Sequence, residues 1–448
     1  MRIIPLVAAT FFMVSGGPYG IEDILGGAGY GRALIILLVL PLLWTLPTTL
    51  MIGELASAIP QNGGFYIWVR RALGPFWGFQ EAWLSLAASI FDMAIYPTIF
   101  VLYLGRLAPS WTAGARAGLW SLAVIVVCCL WNLRGAPEIG EGSVILSVVL
   151  LAPFVWMILA GFWRGISSHV AHTGPSADPD ITAAILVAMW NYMGWDNAST
   201  VAQEVENPRR NYPLAMFSSA ALVIFSYVLP LAAIAAAGIS VSRFSTGSWT
   251  DAARILGGPV LGLAVVLGGM INGFAMFNAL VLSYTRLPMA LAEDGLLPGW
   301  VGWKNSRGVP WVAVLLCGAA WALALHWGFE RLISMDLILY GSSLILEFTA
   351  LAVLRKKEPS LPRPFSAGKG LLSACLIGVG PTALILFAMY AARAERMAHL
   401  PTLAFGGILM AVGPLLYLLT RIVRRDPHLD AVEQPTPLSA AAREEPAE

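Results

Sequence analysis

The sequence predicts an all-α polytopic membrane protein with twelve transmembrane helices. Three observations predict it. Hydrophobic residues make up 58% of the 448-residue chain and charged residues only 12%, where soluble domains carry about a quarter charged residues. Apolar runs long enough to cross a hydrocarbon core of about 30 Å, roughly 20 residues each, recur along almost the whole chain. Seventeen Trp and 44 Gly fit interfacial belts and closely packed membrane helices. Strands of this length would leave open edges in lipid, so the spans read as helices.

In order, the runs fall near residues 4–29, 33–57, 76–105, 117–133, 143–163 and 181–205. The remainder fall near 213–238, 258–292, 310–327, 331–354, 371–392 and 401–421. Arg2 followed by an apolar run is signal-like, but the run is too long for an h-region and no cleavage-type site follows it, so the first span is expected to be retained. The segment 59–74, with Arg70 and Arg71 among aromatics, reads either as a short surface helix or as a plain connector. Residues 1–425 read as one membrane domain, and 426–448, polar and rich in Pro and Ala, as a disordered cytoplasmic tail.

An even number of spans puts both termini on one side. With that side cytoplasmic, 18 of the 27 Lys and Arg, including Arg70, Arg71, Arg209, Arg210, Arg355, Lys356 and Lys357, fall on the inner face. The excess supports cytoplasmic termini in a plasma-membrane protein. A net charge of +1 offers no nucleic-acid footprint. The four Cys lie in apolar spans and read as small core residues, and His169 and His172 share a loop with no metal-site spacing. No metal, no cofactor and no enzymatic constellation is expected, since the spans hold no nucleophile–base pair.

Two spans are interrupted. Ser15-Gly16-Gly17-Pro18-Tyr19-Gly20 breaks the first, because Pro18 lacks an amide hydrogen and the glycines weaken the helix around it. Asn191-Tyr192-Met193-Gly194 breaks the sixth. Freed backbone groups inside a bilayer cost several kcal/mol each unless satisfied. Two breaks at matching places in two halves are the pattern of a solute site at the bilayer midplane.

Ionisable residues inside spans are mainly acids: Glu22 and Asp23 after the first break, Asp196 after the second, Asp92 in the third span and Glu347 in the tenth. Such residues mark pathways or partners. Ser85, Ser89, Asp92 and Tyr96 recur at i, i+4, i+7 and i+11, one helical face, and Asp336, Tyr340, Ser343 and Glu347 repeat the spacing. The competing role for each stripe is to hydrogen-bond neighbouring helices. Asp336, close to the end of its span, is expected to be solvated. Tyr19, Trp190 and Trp195 flank the breaks, where aromatics can cover a cation or an aliphatic chain.

Residues 53–79, GELASAIPQNGGFYIWVRRALGPFWGF, and 204–216, EVENPRRNYPLAM, resemble the two signatures of the amino acid–polyamine–organocation superfamily, over a similarity running from about Pro5 to Tyr390. SGGPYGIED (15–23), DMAIYP (92–97), WNYMGWD (190–196) and ILEF (345–348) are similar to its polyamine-uptake and L-type-like branch. The resemblance implies two inverted five-helix repeats, about 4–163 and 181–354, plus two peripheral helices over 371–421. It implies a site between broken helices 1 and 6 and helices 3, 8 and 10. It also implies that the amides of Ser15, Gly16 and Gly17 bind a substrate carboxylate, while carbonyls of the second break accept an ammonium. Some relatives carry a coupling Lys in the fifth helix; the fifth span here has no charge.

The expectation is therefore a secondary active transporter of amino acids or polyamines, working by alternating access, with a cationic substrate favoured and a proton, or else sodium, as the co-transported ion. The expected substrate-facing residues are Ser15, Gly16, Gly17, Tyr19, Glu22, Asp92, Tyr96, Trp190, Asn191, Trp195, Asp196 and Glu347. Proton carriers are sought among Glu22, Asp92, Asp196 and Glu347. The alternatives are a neutral amino acid permease or exchanger and a non-transporting nutrient sensor on the same fold. The sequence does not fix oligomeric state.

Overall fold

The computed structural model describes residues 1–168, 179–242 and 244–423. His169, His172, Arg243 and the tail from Asp426 lie outside the described residues, as do Arg424, Arg425 and Arg443. The described chain is almost entirely helical; its one β ladder pairs Arg396–Met397 with Leu400–Pro401.

Helix α1 (Ile3–Val14) stops at the first break, and α2 (Glu22–Leu43) resumes after it. Gly29 interrupts α2 with φ 71° and ψ 173°. That reversal separates the first expected span from the second, and only Gly adopts it without strain. The second span continues through a kink at Trp44 into α3 (Thr45–Ala58). Pro47 explains the kink, since its ring clashes with the carbonyl four residues earlier and it supplies no N–H.

Next comes α4 (Gly64–Leu73), so the 59–74 segment does contain a helix. It does not lie free at a surface: Phe65, Tyr66, Trp68 and Val69 are fully buried, against α5 (Pro75–Leu107) and a later helix. Helices α6 (Ala115–Asn132) and α7 (Ala136–Ser168) follow. Helix α8 (Ile181–Asn191) runs to the second break, beyond which Trp195–Glu204 is wound as 3₁₀ helix. Then come α9 (Pro208–Ala236) and α10 (Trp249–Tyr284), the latter kinked at Gly257 and Gly258. Helix α11 (Arg286–Glu293) leads to α12 (Trp311–Leu323) and α13 (Phe329–Lys357). Helices α14 (Gly370–Ala391) and α15 (Thr402–Val423) close the described chain.

Among the described residues nine helical runs are long and apolar enough to cross a membrane, and Ile3–Val14 and Trp311–His326 are shorter apolar helices. The surface carries large apolar side chains such as Leu119, Ile145, Val148, Leu159 and Leu372, which suits lipid rather than water. Burial ranks the helices. The α5 span is 72% buried, whereas the runs of α14 and α15 are 28% and 22% buried, so α5 is central and the last two helices are peripheral. Helix α5 packs most extensively on α10 and α13, and these three surround the two breaks.

Candidate functional site

The first break is closed by its own chain. The Ser15 and Gly16 amides both donate to the Phe11 carbonyl, at 2.8 and 3.1 Å, and the Gly17 amide donates to Ser15 Oγ at 3.0 Å. Gly16 (φ 64°), Gly17 (φ 96°) and Gly20 (φ 94°) take left-handed backbone. Gly16 also permits a close approach: a Cβ there would lie 1.9 Å from Asn272 Oδ1. Tyr19 Oη donates to the Val265 carbonyl (2.8 Å), and its ring packs edge-on against Tyr103 and Phe154. Tyr19 is thus tied into the packing of α7 and α10.

Glu22 follows at the start of α2, where a carboxylate is favoured by the helix dipole. It accepts from the Gly20 amide (2.6 Å), the Tyr103 hydroxyl and the Gly247 amide (3.0 Å). Asp23 accepts from the Thr246 amide and hydroxyl. Both acids hold the 244–248 loop over the break.

The second break meets the first. Asn191 Nδ2 donates to the Gly20 carbonyl (3.3 Å) and the Val187 carbonyl (2.8 Å). The Asn191 carbonyl accepts from Tyr227 Oη. Gly194, at φ 88°, lets the chain pass the Met13 carbonyl, 2.6 Å from where a Cβ would stand. Trp195 is fully buried and donates to the Tyr192 carbonyl. The Gly194 amide donates to Tyr340 Oη, which in turn donates to Asp196 Oδ1 at 2.5 Å.

Asp92 collects three donors: Tyr96 Oη (2.6 Å) and Trp190 Nε1 (3.3 Å) on Oδ1, and Tyr284 Oη (3.3 Å) on Oδ2. The Tyr96 and Trp190 rings stack beside it, centroids 6.2 Å apart. The two polar stripes face each other across α5 and α13, with Ser85 Oγ donating to Ser343 Oγ at 3.4 Å. Trp321 Nε1 from α12 donates to Ser89.

Asp336 corrects the expectation of a solvated position. It is fully buried, within electrostatic reach of Asp92 and Asp196. The reason is helix length: α13 begins at Phe329, so Asp336 stands about two turns inside it, on the stripe that turns toward α5. Neither Asp336 oxygen has a hydrogen-bond partner, and neither does either oxygen of Glu347, also fully buried.

Sequence reasoning missed three residues. Glu81 lies one turn before Ser85 on the same face of α5; it is fully buried, with both oxygens unpartnered and Asp196 and Glu347 within electrostatic reach. The four-residue step back from Ser85 was a usable signal, masked by the nearness of Glu81 to the span's start. Asn272 on α10 is fully buried against the first break with both amide atoms unpartnered; a lone Asn in an apolar span gave no such sign. Glu54, in the 53–79 signature, is buried and saturated by Arg355 Nε (3.0 Å) and Nη2 (2.5 Å), Arg363 Nε (3.2 Å) and the Ala367 amide (2.8 Å).

Charge is therefore sorted. Ion pairs such as Glu54–Arg355, Arg286–Glu204, Arg70–Asp294 and Arg71–Glu358 join segments near helix ends. Glu81, Asp92, Asp196, Asp336 and Glu347 enter no ion pair among the described residues. Among the described residues, these five buried carboxylates gather where α5, α13 and the second break meet, with no basic partner.

The comparisons with known proteins fit this arrangement. The model of the amino acid permease family matches residues 7–409. The chain belongs to that family. It is 32% identical over 394 residues to the polyamine transporter RMV1 of Arabidopsis thaliana, covering 86% of this chain and 79% of that protein. It is 33% identical over 393 residues to the polyamine transporter PUT1 of Oryza sativa subsp. japonica, covering 86% and 72%. The serine/threonine exchanger SteT of Bacillus subtilis is 27% identical over 334 residues, covering 72% and 75%. The permease is thus a multi-pass membrane protein and a secondary transporter of amino acids or polyamines, not an enzyme.

Proposed function

We propose that this permease carries polyamines, flexible aliphatic chains with several ammonium groups and no carboxylate. The observation that carries the reading is the set of five buried carboxylates without a basic partner. Each unpaired charge in a low-dielectric interior costs several kcal/mol even after relaxation. Five of them would together exceed the roughly 5–15 kcal/mol that holds a fold. They therefore hold protons, or a cation held among them, or both by turns. A polycation answers that requirement directly.

The first break supports the same choice. The amides of Ser15, Gly16 and Gly17 already have acceptors within the chain, which leaves them no donor for a substrate carboxylate. In this reading Asp92 receives an ammonium, with Tyr96 and Trp190 stacked along its methylenes. Asp196 and Glu347 continue the negative path, and Trp195 and Asn191 shape the second break. Glu22, held by three neutral donors, steadies the 244–248 loop, and proton exchange is left to Asp92, Asp196 and Glu347.

Transport then proceeds by alternating access across the plasma membrane in a twelve-span, inverted-repeat arrangement with both termini cytoplasmic and a proton as coupling ion. The two touching breaks, central α5, α10 and α13, and peripheral α14 and α15 support it. Purified protein titrated with putrescine, arginine and leucine tests the substrate class by thermal stabilisation. A ligand at a hundred times its Kd adds about 2.7 kcal/mol of apparent stability. Stabilisation by putrescine and none by leucine is expected; leucine alone stabilising refutes the reading.

A further inference from the structure

The α5–α13 interface holds more acid than one ammonium needs. Its facing groups share a single antiparallel register: Asp92 lies toward Asp336, Ser85 meets Ser343 at 3.4 Å, and Glu81 lies toward Glu347. The two carboxylate pairs stand at opposite ends of that register. Eleven residues separate Glu81 from Asp92, and the same number separates Asp336 from Glu347, so at 1.5 Å per residue the pairs are about 16 Å apart along the helices. Asp196 lies within reach of both.

The far pair differs from Asp92 in one respect. Asp92 has three neutral donors from the protein. Both Glu347 oxygens are buried and unpartnered, and the buried Glu81 oxygens have no closer polar neighbours among the described residues than the weakly placed Ser85 and Ser343 hydroxyls. Ser343 Oγ instead donates to the Tyr340 carbonyl. Two facing carboxylates at this depth, with no ion-pair partner among the described residues, are matched by a ligand that brings N–H groups and positive charge.

Resting on the polyamine reading above, we infer that Glu81 and Glu347 form a second ammonium site, which binds the distal amine of a tetra-amine and so reads substrate length. The spacing selects the longest chain. With bonds of about 1.5 Å, an extended chain advances roughly 1.25 Å per bond, giving terminal nitrogens about 6 Å apart in putrescine, 11 Å in spermidine and 16 Å in spermine. From Asp92, putrescine reaches toward Asp196 and no further. Spermidine falls about 5 Å short of the Glu81–Glu347 pair, and spermine reaches it, with its inner nitrogens passing Asp196 and the Ser85–Ser343 step.

The test is displacement of labelled spermidine from the purified full-length protein by putrescine, spermidine and spermine. It compares the wild type with Glu81→Gln, Glu347→Gln and Asp92→Asn, each first checked for an intact unligated melting transition. Gln keeps the shape and removes the charge, and the two far-pair variants guard against misfolding of either one. Each far-pair variant is expected to weaken spermine about tenfold, the worth of one charge-assisted contact, and to leave putrescine and spermidine within about twofold. Asp92→Asn is expected to weaken all three. Equal weakening of putrescine, or no change in spermine, overturns the second site and leaves the substrate class standing. An intact length ranking together with lost proton-driven uptake also overturns it and leaves the pair with proton exchange alone. A wild type that binds none of the three overturns the polyamine reading itself.

Discussion

Asp92→Asn separates the electrostatic role of this residue from its structural one. Asn retains Oδ1, so the hydrogen bonds from Tyr96 and Trp190 at 2.6 and 3.3 Å persist. Its amide nitrogen replaces Oδ2 opposite Tyr284, where the phenolic oxygen can accept instead of donate. Packing therefore changes little, and the unligated protein no longer buries that charge. What disappears is the charge in the contact with a substrate ammonium. A charge-assisted hydrogen bond contributes about 1.5–3 kcal/mol and a neutral one about 0.5–1.5 kcal/mol. The loss is then about 1–2 kcal/mol, or roughly fivefold to thirtyfold in affinity. Melting curves with and without putrescine measure both halves. The unligated midpoint should stay level or rise, while the ligand-dependent shift shrinks. A lower unligated midpoint with undiminished putrescine affinity would refute the reasoning, since Asp92 would then serve the fold alone.

Three further outcomes follow from the same geometry. Glu54→Gln leaves Arg355 and Arg363 facing a neutral group at a buried site and should destabilise by about 3 kcal/mol in thermal unfolding; a loss below about 1 kcal/mol would contradict it. Gly16→Ala places a Cβ 1.9 Å from Asn272 Oδ1 at φ 64°, so the melting midpoint should fall by the equivalent of about 2–4 kcal/mol, and an unchanged midpoint would show that the break is not held as described. Glu22→Gln must set its NH2 against either the Gly20 N–H on one side or the Gly247 N–H and Tyr103 hydroxyl on the other; it should cost about 2 kcal/mol in stability and leave the ranking of amine ligands as it is, whereas a reordered ranking would place Glu22 against substrate.

Much of this was legible in the chain because it rests on local rules. Pro18 and the surrounding glycines locate the first break, and the i, i+4, i+7, i+11 spacing predicts each stripe from the 3.6-residue period alone. What spacing does not carry is which stripe faces which. The antiparallel match of α5 with α13 is a long-range packing result, and it turns Asp336 from an end-of-span residue into a buried one. The same holds for Glu54, whose Arg partners lie some 300 residues on. The pairing of the break's amides is illegible in the sequence for a different reason. Sequence marks where a helix stops, but not whether a nearby carbonyl or hydroxyl, here Phe11 and Ser15, takes up the freed donors.

The central claim is that a ring of unpaired buried acids makes this a polyamine permease. Uptake of labelled putrescine into proteoliposomes, with and without an imposed pH gradient and with unlabelled spermidine, arginine and leucine as competitors, tests it most directly. The account predicts uptake that the gradient drives, that spermidine suppresses and that leucine does not. Leucine transport that neither amine inhibits would contradict it.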